Sequence, residues 1–139
     1  LVSTLYVSLS CAKMDGPDWF KRKAAKCAEA NIRTIKMARE AGIRIALGTD
    51  FTNSKGTPYR KNGMEFEAMV QAGMTPMEAI KAGTINGAYV MRTEKQTGSL
   101  TAGKLADIVL VKGNPLEDIS ILGDSDNIAA VFLGGRKVK

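Results

Sequence analysis

The sequence predicts an α/β fold built on a parallel sheet. Three observations predict it. An apolar, β-branched opening stretch, a long amphipathic helical pattern and a second apolar run follow one another with short links, which is the order of a βαβ unit. The second run, Ile45-Ala46-Leu47-Gly48, ends abruptly in Thr49-Asp50 and a Pro-, Gly-, Asn- and Ser-bearing stretch, the pattern of a buried strand entering a loop. Near Thr93 the period changes from helical to strand-like.

Taken in order, residues 1–9 carry Val2, Thr4 and Val7 among leucines and read as a strand. Residues 10–18, with Gly16-Pro17, read as a βα loop. Residues 17–41 form one amphipathic helix. Ala24, Cys27, Ala28, Ile35 and Ala38 share a face, while Lys26, Glu29, Arg33, Lys36 and Glu40 take the other. Asn31 lies inside the apolar stripe with no partner evident from sequence, and Gly42 marks the stop. Residues 43–49 are the second strand, and residues 51–61 a loop.

Residues 63–72 read as a helix ended by Gly73. Thr75-Pro76-Met77-Glu78 is a helix start: Thr as N-cap, Pro at the first helical position and Glu completing a capping box. That helix runs to about residue 82, and another spans residues 84–91. Residues 98–104 are turn chemistry, residues 106–111 a strand, Asn114-Pro115 a turn and residues 116–122 a short helix. Residues 128–133 and 136–139 are strands joined by Gly134-Gly135 as a hairpin. Asp107 reads as a structural residue satisfying local backbone groups.

With 139 residues the chain can bury one core, but a whole (β/α)8 barrel needs roughly 200. The 45% hydrophobic content is that of a globular chain. The net charge of +6 is spread among acidic residues without long like-charge runs, which argues against a nucleic-acid partner. Cys11 and Cys27 lie far apart without a CxxC, as buried thiols of a reducing, cytoplasmic compartment do. Neither a membrane span nor a signal peptide is evident. Histidine is absent, so a histidine-based triad and a histidine zinc site are excluded within these residues. The candidate chemical residue is Asp50. A carboxylate at the C-terminal end of a buried parallel strand is where α/β barrels place catalytic groups; the alternative is a cap for the following turn.

Residues 41–50 (Ala-Gly-Ile-Arg-Ile-Ala-Leu-Gly-Thr-Asp), residues 65–80 (Glu-Phe-Glu-Ala-Met-Val-Gln-Ala-Gly-Met-Thr-Pro-Met-Glu-Ala-Ile) and Thr84-Ile85-Asn86-Gly87-Ala88 come in fixed order. Gly98-Ser99-Leu100, Gly103-Lys104-Leu105-Ala106-Asp107-Ile108-Val109, Asn114-Pro115-Leu116-Glu117-Asp118-Ile119 and residues 131–138 follow them. In this order and spacing the series resembles the C-terminal portion of the amidohydrolase superfamily, in the branch of imidazolonepropionases and prolidase-like dipeptidases. The resemblance implies the C-terminal part of a (β/α)8 barrel over residues 1–92, followed over residues 93–139 by the C-terminal strands of a small β-sandwich. It implies that Asp50 binds a catalytic divalent metal, zinc by preference, and shuttles a proton from the metal-bound water to the leaving group. The His-x-His pair, the metal-bridging Lys and the later His ligands of that family have no counterpart here, so the chain alone is expected to be inactive and to bind no metal tightly. Where related sequences carry a His after the Asp, this chain has Tyr59-Arg60, which become candidate substrate-binding residues.

Two readings of the chain compete. In the first it belongs to a metal-dependent hydrolase of amide, dipeptide-like or cyclic-amide bonds, with a small-molecule substrate. In the second it is a non-enzymatic module that uses a partial barrel to oligomerise, since an open barrel exposes strand edges. Either way it is expected to meet a second copy or a missing N-terminal half.

Overall fold

The computed structural model describes residues 1–54 and 56–139. Strands β1 (Val2–Ser3) and β2 (Ala46–Leu47) pair in parallel, with Val2 opposite Ala46 and Ser3 opposite Leu47. Helices α1 (Leu5–Lys13) and α2 (Asp18–Glu40) make the crossover between them. Three shorter helices follow: α3 (Met64–Gln71), α4 (Pro76–Gly83) and α5 (Ile85–Val90). The chain then forms a three-stranded antiparallel sheet of β3 (Ile108–Val111), β4 (Ile128–Leu133) and β5 (Arg136–Lys137), in that spatial order. A mixed α/β fold with a parallel βαβ crossover is therefore present.

The opening strand is much shorter than its β-branched composition predicts. Only Val2 and Ser3 pair, and residues 5–13 are helical. Tertiary contacts override local propensity here. Leu5, 1% exposed, enters the core, and α1 lies along α2, where Ser8 accepts a hydrogen bond from the Asn31 side chain over 2.7 Å. That bond supplies the partner Asn31 lacked in sequence.

Helix α2 matches the expected span and buries Ala24, Ala28, Ile35 and Ala38. Cys27, expected on that buried face, is exposed. The alanine stripe is the true contact line. Cys27 sits at its edge and lines a shallow apolar groove with Val7, Cys11, Trp19 and Phe20. The helix stops in a Schellman arrangement. Gly42 has φ +68, its N–H reaches the Arg39 carbonyl, and the Ile43 N–H reaches Ala38 over 2.8 Å. Helix α3 stops the same way through Gly73, at φ +100.

Leu5, Ile35, Ile45, Met69 and Ala79 are central members of the main core, each less than 5% exposed. Helix α4 begins with the capping box expected of it. The Thr75 hydroxyl accepts the Glu78 N–H, and Glu78 accepts the Thr75 N–H over 2.7 Å.

In the C-terminal part, Gly134 and Gly135 turn the β4–β5 hairpin at φ +56 and +81, the backbone that a tight hairpin turn demands. Asp107 is structural, but its partner is distant: it accepts the Gly134 N–H over 2.7 Å and holds the hairpin turn against β3. The expected helix over residues 116–122 is a 3-10 turn, Ile119–Gly123. That turn packs on α3 so closely that a Cβ on Gly63 would lie 1.8 Å from the Leu122 carbonyl oxygen.

Candidate functional site

Because β1 and β2 are parallel, their C-terminal ends open at the same end of the sheet. The last rung is the Gly48 N–H donating to the Ser3 carbonyl over 2.7 Å. The strands approach closely there: a Cβ on Gly48 would stand 2.7 Å from a Val2 methyl and 3.2 Å from the Ser3 oxygen. Beyond this pinch Thr49 and Asp50 emerge, and Asp50 is exposed. Its φ of +52 lies in the left-handed region, which Asp tolerates better than most residues and which turns the chain sharply out of the strand. Among the described residues, no backbone N–H donates to the Asp50 carboxylate, so the turn-capping alternative has no hydrogen bond behind it there.

Residues 51–54 and 56–61 fold back over α1. The Phe51 ring meets the Tyr6 ring at 5.5 Å between centroids, and the Ser10 hydroxyl donates to the Gly56 carbonyl over 2.7 Å. Tyr59 is 62% exposed, with its N–H on the Asn53 side chain at 3.3 Å. Arg60 is exposed at φ +72. Among the described residues, no hydrogen bond or ion pair joins Asp50 to Tyr59 or Arg60; the shared loop, rather than direct contact, relates them.

The structure adds two residues that brace the strand pair. Glu65, in the first turn of α3, is fully buried. Its Oε1 accepts the Ser3 hydroxyl at 2.6 Å and the Leu5 N–H at 2.7 Å, and its Oε2 accepts the Tyr6 N–H at 2.7 Å. It thus caps α1 from another helix: the first N–H groups of a helix lack partners within it and favour a negative charge. Burial pushes the Glu65 carboxyl above its ordinary range, against the three hydrogen bonds that draw it down. The signal was present in sequence. Glu65 falls three and four residues before Ala68 and Met69 on the buried stripe of α3, and a carboxylate there demands donors. The second residue is Asn86, whose side-chain amide donates to the Ile45 carbonyl over 2.8 Å. That carbonyl faces away from β1, so Asn86 stands in for a strand neighbour.

Among the described residues, no group of three or more His, Cys, Asp or Glu side chains converges, whereas a catalytic zinc takes about three protein ligands. Cys11 lines the α1–α2 groove with Cys27. No described helix is long and apolar enough to cross a membrane.

The amidohydrolase family matches residues 11–138. The chain is 36% identical over 123 residues to the ochratoxinase of Aspergillus niger, covering 87% of this chain and 24% of that enzyme. The crystal structure of A. niger ochratoxinase superposes with a TM-score of 0.85 and 31% identity, over 99% of this chain and 31% of the other. The imidazolonepropionase of Flavobacterium johnsoniae is 41% identical over 73 residues, which is 52% of this chain and 18% of that enzyme. The structure of a Xaa-Pro dipeptidase with methionine bound in its active site matches with a TM-score of 0.82 and 37% identity, over 99% of this chain and 34% of the other. The chain thus spans about a third or less of the length of these relatives.

Proposed function

Because the chain belongs to the amidohydrolase family, we propose that it acts as the C-terminal portion of a metal-dependent hydrolase of amide bonds, dipeptide-like or cyclic. In this reading residues 1–92 are the last strands and helices of its barrel, and residues 93–139 complete a β-sandwich. The observation that carries the proposal is the position of Asp50. It is an exposed carboxylate at the open end of a parallel strand pair, turned out of β2 by its left-handed backbone.

Asp50 offers one hard oxygen ligand to a divalent cation, zinc by preference, and the remaining ligands come from outside this chain. Its second task is proton transfer. The carboxylate takes the proton released as water attacks the amide carbonyl carbon, and gives it to the nitrogen as the C–N bond breaks. Arg60, with Tyr59 beside it, is the candidate to hold a substrate carboxylate, since guanidinium groups pair well with carboxylates. A dipeptide carries such a group, and the structural relative with an amino acid in its active site favours substrates of that kind.

The test is Asp50→Asn in the whole hydrolase. The amide keeps the shape but ligates weakly and takes no proton, so turnover should fall by orders of magnitude while the fold survives. Activity within about tenfold of wild type, roughly 1.4 kcal/mol of barrier, would sink the assignment.

A further inference from the structure

We propose that Glu65 is a positioning residue for Asp50, acting through Tyr6 and Phe51. The path is continuous. Glu65 Oε2 accepts the Tyr6 N–H at 2.7 Å, the Tyr6 ring meets the Phe51 ring at 5.5 Å in a tilted arrangement, and Phe51 is bonded directly to Asp50. Each link restricts the next. The Ser3 hydroxyl and the Leu5 N–H tie the other carboxylate oxygen, so Glu65 fixes the place where β1 becomes α1. Tyr6 has little freedom once its N–H is held at the helix start. Its ring then sets where Phe51 rests, and Phe51 sets the direction in which the chain leaves the left-handed Asp50.

A residue deep in α3 thereby controls a carboxylate that it does not touch. Exposed Asp50 has no hydrogen bond of its own among the described residues, and a group in left-handed backbone persists in one orientation only when its surroundings over-determine it. The Glu65–Tyr6–Phe51 path supplies that determination. The inference rests on the proposed role of Asp50 for its catalytic consequence, though the path itself stands apart from that role.

Two measurements test it and separate its failure from that of the functional reading. In this chain, Glu65→Gln should shift the backbone amide resonances of residues 50–52 in a ¹H–¹⁵N spectrum, together with those of Leu5 and Tyr6, while β3–β5 stay in place. Shifts confined to residues 3–6 and 64–66 would overturn the path. If Glu65→Gln does not fold, Tyr6→Leu removes the ring while leaving the Glu65 hydrogen bonds intact. It should move the Asp50 amide, and an unmoved Asp50 would equally overturn the proposal. In the whole hydrolase, Glu65→Gln and Phe51→Ala should each lower kcat about tenfold with KM within about threefold, and the double variant should lose little more than either alone. Additive losses, or losses in KM alone, would contradict a shared path to Asp50. Full activity of Asp50→Asn would instead remove the functional reading and leave the spectroscopic result to stand by itself.

Discussion

Asn86 donates its side-chain amide to the main-chain carbonyl of Ile45 over 2.8 Å, and by that bond α5 closes the edge of β2 that β1 leaves open. Ile45 is 4% exposed, so no water replaces a lost donor. Asn86→Ala should therefore destabilise the chain by about 1–3 kcal/mol, the range for a buried acceptor left unpaired. Asn86→Asp should cost more, because it sets a carboxylate against a carbonyl oxygen. The midpoint of urea unfolding, at constant slope, reads both.

Glu78 gives the fold a pH-dependent element. The Thr75 N–H holds its carboxyl below the ordinary value of 4.5; burial opposes this in part, and the Arg39 guanidinium at 2.9 Å adds to the lowering. A group with a lowered folded pKa stabilises the native state fully above its unfolded pKa, and that contribution disappears as pH falls through the folded value. Wild type should thus exceed Glu78→Gln in stability at neutral pH, and the gap should close below about pH 4.5. Thr75→Ala, which removes the cap hydroxyl, should cost about 1 kcal/mol. Thermal melts at stepped pH values check all three.

Gly63 and Gly83 should tolerate a methyl group unequally. A Cβ at Gly83 would meet the far edge of the Phe66 ring at 2.6 Å, whereas at Gly63 it would meet the Leu122 backbone at 1.8 Å. A ring can swing; a main chain fixed in a 3-10 turn cannot without moving the turn. Gly83→Ala should cost about 1–3 kcal/mol, as other overpacking changes do, and Gly63→Ala distinctly more. Comparison of their denaturation midpoints decides the order.

Residues 93–139 should not fold when expressed alone. Among the described residues, their buried apolar side chains are Ile119 and Ala130, while Val109, Leu110 and Leu133 are exposed. Small sheets need a partner face. The isolated segment should show no cooperative thermal transition by circular dichroism; a sharp one would mean that its three strands suffice.

Much of the fold was legible where local chemistry decides it. The capping box at Thr75 and Glu78, the stops at Gly42 and Gly73 and the Gly134-Gly135 hairpin each depend on a few neighbouring residues, and the structure realises each of them. The opening stretch departs from its local propensity because its outcome depends on Glu65, some 60 residues downstream in a chain whose loop-closure cost grows only slowly with length. Val7 and Leu9 have strand propensity, yet a carboxylate supplied from α3 starts a helix at Leu5. Cys27 is exposed for a related reason: helical periodicity defines an apolar face but not its edge, and the buried line of α2 runs through Ala24, Ala28, Ile35 and Ala38. Asp50 stood out because a strand end is visible in sequence. For Glu65 the sequence signals a buried carboxylate in need of donors but not which groups supply them, and Asn86 bonds to a backbone carbonyl that any residue carries.

The approach of Gly63 to Leu122 also bears on how the chain is made. Gly63, at the start of α3, leaves no room for a side chain against the 3-10 turn, and the residues that cover it are synthesised roughly 60 positions later, a delay of about 3–12 s at ordinary elongation rates. During that interval a nascent chain carries α3 with its underside uncovered. Ribosome stalling or premature termination between these two points would release a polypeptide whose first part is ready to fold and whose seam lies open, the kind of surface that a cell's quality-control machinery binds.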